Sequence, residues 1–187
     1  MNKLAALFLV LFSMIYPTTD LGANMNLYNP DARLENFKKK IQFDEIVNKE
    51  STSPLVTNLS VDPTQYPQFK GWKLDGKSSK NRGEELMTEW IFQNNKESFL
   101  IEIYLSPKGV EPSRKRFLQT ADSTTTMEIP FQKGPSGVGT LSAIPLQQPY
   151  DYILFIYKNA YVHVRSRGAA VDALEVSRLI SSQLEVK

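Results

Sequence analysis

One histidine, His163, stands in a chain of 187 residues that contains no cysteine. A Ser-His-Asp mechanism would have to use it, while cysteine nucleophiles, thiolate zinc sites and disulfides are excluded. His163 lies in Ala160 to Arg165 (AYVHVR), between Val162 and Val164. Period-two spacing there puts Tyr161, His163 and Arg165 on one face of a strand. On such a face an imidazole could act as general base or as a pH-sensitive contact. The simpler reading is an ordinary strand residue on a partly exposed face, because spacing alone identifies no partner for it.

The most tempting nucleophile is Ser136, in Gly134-Pro135-Ser136-Gly137-Val138-Gly139. A nucleophile elbow needs G-x-S-x-G between a strand and a helix. Val138 stands where the last glycine should be, and a strand rather than a helix is expected to follow. The same glycines make no phosphate loop, since no Lys-Ser/Thr follows. A turn explains them. Glu85 and Glu89 share one strand face, but four residues of extended chain separate them by ~13–14 Å. A glycosidase pair needs ~5–5.5 or ~6.5–9.5 Å, so carboxylates could pair that way only from different strands. A histidine-rich metal site is impossible, and neither EF-hand spacing nor an Asp/Asn-rich run offers a calcium site. No catalytic, cofactor or metal residue is assigned. The tyrosines Tyr150, Tyr152, Tyr157 and Tyr161 fit a binding surface, but the simpler reading is the ordinary preference of tyrosine for strands.

Charge says little more. The net charge is +2 with acids and bases interspersed, and nothing resembles the basic face of a nucleic-acid binder. Length favours one domain, with or without an arm. At the N-terminus Met1-Asn2-Lys3 precedes an apolar run, Leu4 to Tyr16, closed by Pro17. That run is shorter than the ~17–25 residues of a spanning helix and within the ~7–15 of a signal-peptide core. A signal peptide over residues 1–23 is expected, with Ala23 its last residue; an uncleaved membrane anchor is the alternative. Without cysteine a lipoprotein is excluded. An exported domain lacking cysteine points to a bacterial periplasm or medium.

The elements follow. Residues 24–67 form a lead-in: a helix from Pro30 with Leu34, Phe37 and Ile41 on one side, then an irregular Ser51–Pro67 segment wrapping the domain, the stretch where mobility is expected. Lys38, Lys39 and Lys40 read as the solvated side of that helix. The domain proper, residues 68–187, begins with a short strand at Lys70–Leu74 and a polar loop, DGKSSKNRGE. Strands follow at Glu84–Phe92 and Glu97–Leu105. A helix starts near Pro112, with Phe117, Leu118 and Ala121 inward and Arg114, Lys115 and Arg116 outward. Strands at Thr124–Phe131, Gly139–Ile144, Tyr150–Tyr157 and Ala160–Arg165 precede a final helix, Ala169–Leu184. Both faces of Tyr150–Tyr157 are apolar, as in a central strand covered on each side. The expected fold is α+β, a mainly antiparallel sheet of about six to seven strands with helices packed on it. Its order is β-β-β-α-β-β-β-β-α. That order resembles the α/β/α sandwich of the extrinsic photosystem II subunits, in topology alone, and implies no function.

The expectation for function is an exported, non-enzymatic accessory or binding domain whose partner is an unknown protein or small ligand, not nucleic acid. Its possible binding surface is Tyr150, Tyr161, His163 and Arg165. The alternatives are a hydrolase-type site near His163 and a membrane-anchored envelope interaction protein. With the signal peptide cleaved, the mature chain has no membrane span.

Overall fold

The computed structural model describes residues 29–50, 54–123, 128–168 and 170–185. The expected signal peptide, the start of the lead-in, the head of the Thr124–Phe131 strand and Ala169 lie outside the described residues.

Two helices come first. α1 (Pro30–Ile41) starts where Asn29 accepts from the amides of Asp31 and Ala32, a side-chain N-cap. Phe37 and Ile41 are buried, as the spacing predicts. Gln42 takes a left-handed conformation (φ 59°) and turns the chain into α2 (Phe43–Glu50), which sequence periodicity did not reveal. From residue 54 the chain is irregular apart from 3₁₀ turns at Pro63–Gln65 and Pro67–Phe69. It is tied down rather than loose. Val61 and Tyr66 are buried, and the Tyr66 hydroxyl donates to Gln183 at 2.9 Å.

Among the described residues, seven strands form one sheet: β1 (Lys73–Arg82), β2 (Glu85–Asn94), β3 (Glu97–Leu105), β4 (Phe131–Lys133), β5 (Leu141–Pro145), β6 (Tyr152–Tyr157) and β7 (Ala160–Arg167). α3 (Glu111–Ser123) follows β3, and α4 (Ala173–Glu185) follows β7. The spatial order is β1-β2-β3-β7-β6-β5-β4, with every neighbour antiparallel. This is the expected α+β fold and element order. Position along the chain differs in four places. The first strand begins at Lys73, past the turn at Gly71 (φ 85°), and the supposed polar loop is that strand. It sits at the sheet edge with both faces wet, so no apolar alternation marks it. β4 is only the tail of the expected strand. The central position belongs to β7, with β6 beside it. Finally, α4 begins at Ala173, capped by Asp172, which accepts from the amides of Leu174 and Glu175.

Helices cover the two faces unequally. α1, α2 and α3 bury one side around Phe37, Phe117, Leu154 and Tyr161. α4 and the 54–72 segment bury the other around Phe69, Trp90, Phe99, Ile153 and Val176. There the Phe69 ring stacks on Phe92 with centroids 4.0 Å apart. Both α3 and α4 pack on β6 and β7, from opposite sides of the sheet. Hence β2 and β3 are sealed on the α4 side and not packed by α3 on the other, while β1 is wet on both. Fully buried Asn159, in the β6–β7 turn, locks the layers. It donates to the carbonyls of Val56 (2.9 Å) and Ser106 (2.7 Å), while its own carbonyl accepts from Ser113 Oγ at 2.6 Å.

Candidate functional site

The site is built by register on the α3-side face of the sheet. β3 and β7, distant in sequence, pair so that Glu102 lies opposite His163, Tyr104 opposite Tyr161 and Leu100 opposite Arg165. On the flanks, β2 sets Glu89 beside Glu102, and β6 sets Tyr152 beside Arg165. Glu89, Glu102 and His163 thus form one transverse row.

His163 Nδ1 lies 2.8 Å from Glu102 Oε2. A carboxylate only accepts, so Nδ1 carries the hydrogen and the tautomer is set. The Tyr104 hydroxyl reaches the other carboxylate oxygen of Glu102 at 3.4 Å. The His163 hydrogen bond, opposed by burial and helped by the charges of His163 and Arg116, holds the Glu102 carboxyl below its ordinary range. Burial pushes the Tyr104 and Tyr152 phenols up. The Tyr152 ring sits 4.6 Å from the imidazole, centroid to centroid.

Two arginines frame the pair. The Arg165 guanidinium lies 5.8 Å from the Tyr152 centroid, and that of Arg116 4.0 Å from the Tyr104 centroid. Arg116 also holds Glu85, its Nε donating at 2.8 Å to a carboxylate whose residue is only 6% exposed. Sequence reasoning turned Arg114 and Arg116 outward. Instead Arg114 is buried and donates to the Val47 carbonyl, and Arg116 leans over the sheet face. A long aliphatic stem lets an arginine on the flank of a helix reach inward where a carboxylate awaits it.

The four expected surface residues separate. His163 and Arg165 share the face, His163 nearly buried and Arg165 exposed. Tyr161 also points to that side but lies beneath α3 at 2% exposure, so it is core and no part of a surface. Burial pushes its phenol up. Tyr150 belongs to the other side, against the α4 layer, where it lines a cleft of about 250 Å³ with Pro149, Asp151 and Asp172. Glu102, Tyr104 and Arg116 were not singled out from the sequence. Alternation places Glu102 and Tyr104 on one face of β3, but nothing local says that β7 will pair there.

A carboxylate orienting an imidazole is part of a nucleophilic triad. The rest is missing among the described residues. His163 Nε2 is buried without a partner, and Ser136 lies in the β4–β5 turn, three strands away. A cleft of about 460 Å³ opens between α1, α2 and α3 and is lined by Leu34, Phe43 and Arg114, not by His163. Among the described residues no group of three or more His, Asp or Glu could hold a metal ion, and no helix is long and apolar enough to cross a membrane.

Comparison with known proteins finds no family model, no curated protein and no solved structure that matches this chain. Fold and site define a class only: an α/β/α-layered α+β domain with a polar, aromatic-rimmed sheet face.

Proposed function

We propose that the chain is an exported, non-enzymatic binding domain. Its binding surface is the α3-side face of β2, β3, β7 and β6, centred on Glu102, Tyr152, His163 and Arg165. One observation carries this reading: a sheet face without a helix over β2 and β3 gathers two arginine–tyrosine stacks around a hydrogen-bonded Glu–His pair. Tyrosine and arginine dominate binding surfaces because each offers large contact area together with polar groups. A broad face outside the described clefts suits a macromolecule better than a small ligand. Export rests on the Leu4–Tyr16 run and the absence of cysteine, so the partner is a protein of the same compartment.

The test is capture from an extract of that compartment by the wild-type domain and by Arg165→Glu. Loss of one discrete band with the variant, its fold intact by circular dichroism, supports the surface; unchanged capture overturns it. Intact mass of the protein recovered from cells distinguishes a cleaved domain from a membrane-anchored one. The Glu102–His163 pair also supports a hydrolase-type reading. That reading requires ester or amide hydrolysis by the wild type that His163→Gln abolishes, and fails if neither protein turns over substrate.

A further inference from the structure

The two edges of the sheet are treated differently. At one end, β4 spans only Phe131–Lys133 and packs against α1. At the other, β1 runs ten residues, Lys73–Arg82, and packs on β2 alone among the elements it meets substantially. Native sheets blunt their edges by shortening or covering them, by bulges, and by charged side chains, lysine above all, that repel a like strand. β1 is neither short nor covered by the described residues; its bulge and its cations oppose a second copy of itself, while the alternate backbone N–H and C=O groups of such an edge stay free to pair with a strand of opposite charge.

Its side chains select what could pair there. β1 carries Lys73, Lys77, Lys80 and Arg82 against a single acid, Asp75. Lys73 pairs with Asp75 at 3.7 Å, Lys77 lies 5.8 Å from the Trp90 ring centroid and Arg82 stands opposite Glu85 in the register, but no ion pair among the described residues engages Lys77, Lys80 or Arg82. Lys77 shares the face of Trp90, whereas Lys80 and Arg82 share that of Met87 and Glu85, so both faces of the strand are basic. Pairing β1 with a second copy of itself would bring these cations together, which is destabilising across strands. An extended segment with Asp or Glu alternating onto both faces would instead set opposite charges side by side. The bulge between Leu74 and Gly76 limits the regular run to the Gly76–Arg82 portion.

We propose that β1 is a docking edge that takes an acidic, extended polypeptide segment as an added strand. The site is distinct from the sheet face proposed above and can fail independently of it. Backbone pairing would supply the geometry, as in other β-augmentation, and charge the selectivity.

The probe is a soluble ten-residue peptide repeating Glu-Thr-Val, whose period of three sets Glu on each strand face in turn, titrated into the full chain at low salt. Amide hydrogen exchange and NMR shifts are read along β1. The expected result is added protection confined to Gly76–Arg82. Binding should weaken at least tenfold in the double variant Lys77→Glu/Lys80→Glu and fall steeply with salt, as exposed charges are screened. Arg165→Glu should leave it unchanged. Equal binding of a peptide with Lys in place of Glu, binding without added protection of β1 amides, or no binding would each overturn the proposal.

Discussion

The two faces of β3 are made by the same nine residues and end in opposite states. Phe99, Ile101 and Ile103 are fully buried under the α4 layer and the 54–72 segment, with Leu105 nearly so. One residue out of phase, Ser98, Leu100, Glu102 and Tyr104 are all half-buried. The difference does not lie in the strand, whose alternation serves either face. It lies in what reaches the sheet. On the α4 side a non-helical segment extends the cover past the helix to β2 and β3. On the other side α3 stops over β6 and β7, and only the Arg116 side chain extends beyond it. Beyond α3 the face is mixed: Glu85, Glu89, Glu102 and Tyr104 stand with Met87, Ile91 and Leu100, and only Met87 and Glu85 among them are buried.

Substitutions along β3 separate the two faces. Ile101→Ala, on the sealed face, should cost about 2–5 kcal/mol in a denaturant-unfolding experiment, from lost burial and the cavity left behind. Leu100→Ala, its neighbour on the open face, should cost less than half as much. Equal costs would mean that the open face is sealed after all.

Glu102→Gln should come next, at about 1.5–3 kcal/mol near neutral pH, the usual worth of a hydrogen bond to a charged group. The loss should depend on pH in a defined sense. Glu102 has its carboxyl held down in the fold, so its contribution is present above the unfolded value and disappears as pH falls through the lower folded value. Wild type and variant should therefore converge in stability in acid. A gap that stays constant to low pH would show that the hydrogen bond to His163 is not its source.

The smallest effect on stability belongs to Arg165→Ala, within about 0.5 kcal/mol, because the residue is exposed and its guanidinium meets the Tyr152 ring only distantly, 5.8 Å from the centroid. If thermal unfolding shifts by more than that, Arg165 is part of the core structure and no free binding group.

How much of this could be read from the chain follows the same division. α4 and the β6–β7 hairpin were legible because apolar spacing at 3.6 and 2 is a local signal. β1 was hidden because a strand wet on both faces has no apolar period, and DGKSSKNR carries the composition of a loop. α2 was hidden because Gln42 turns the chain without glycine or proline. The site was half legible. His163 and Arg165 were placed on one strand face, correctly. Tyr161 was on that face too, but whether a helix lies above it is decided by α3, over forty positions away, and Glu102 met His163 through a pairing of strands that no turn connects. The burial of Asn159 shows the same limit: Lys158-Asn159 reads as a plain turn, while the side chain bonds to segments far up the chain.

The most direct measurement is hydroxyl-radical footprinting of the full protein, alone and with extract of its compartment. Alone, Tyr104 and Tyr152 should be oxidised, while Phe99 and Phe155 on the opposite side should not. With extract, Tyr104 and Tyr152 should become protected together, and exposed Leu146, at the end of β5, should keep its oxidation rate. Protection at Leu146 equal to that at the two tyrosines, or no protection at the tyrosines, would contradict a binding role for the open face.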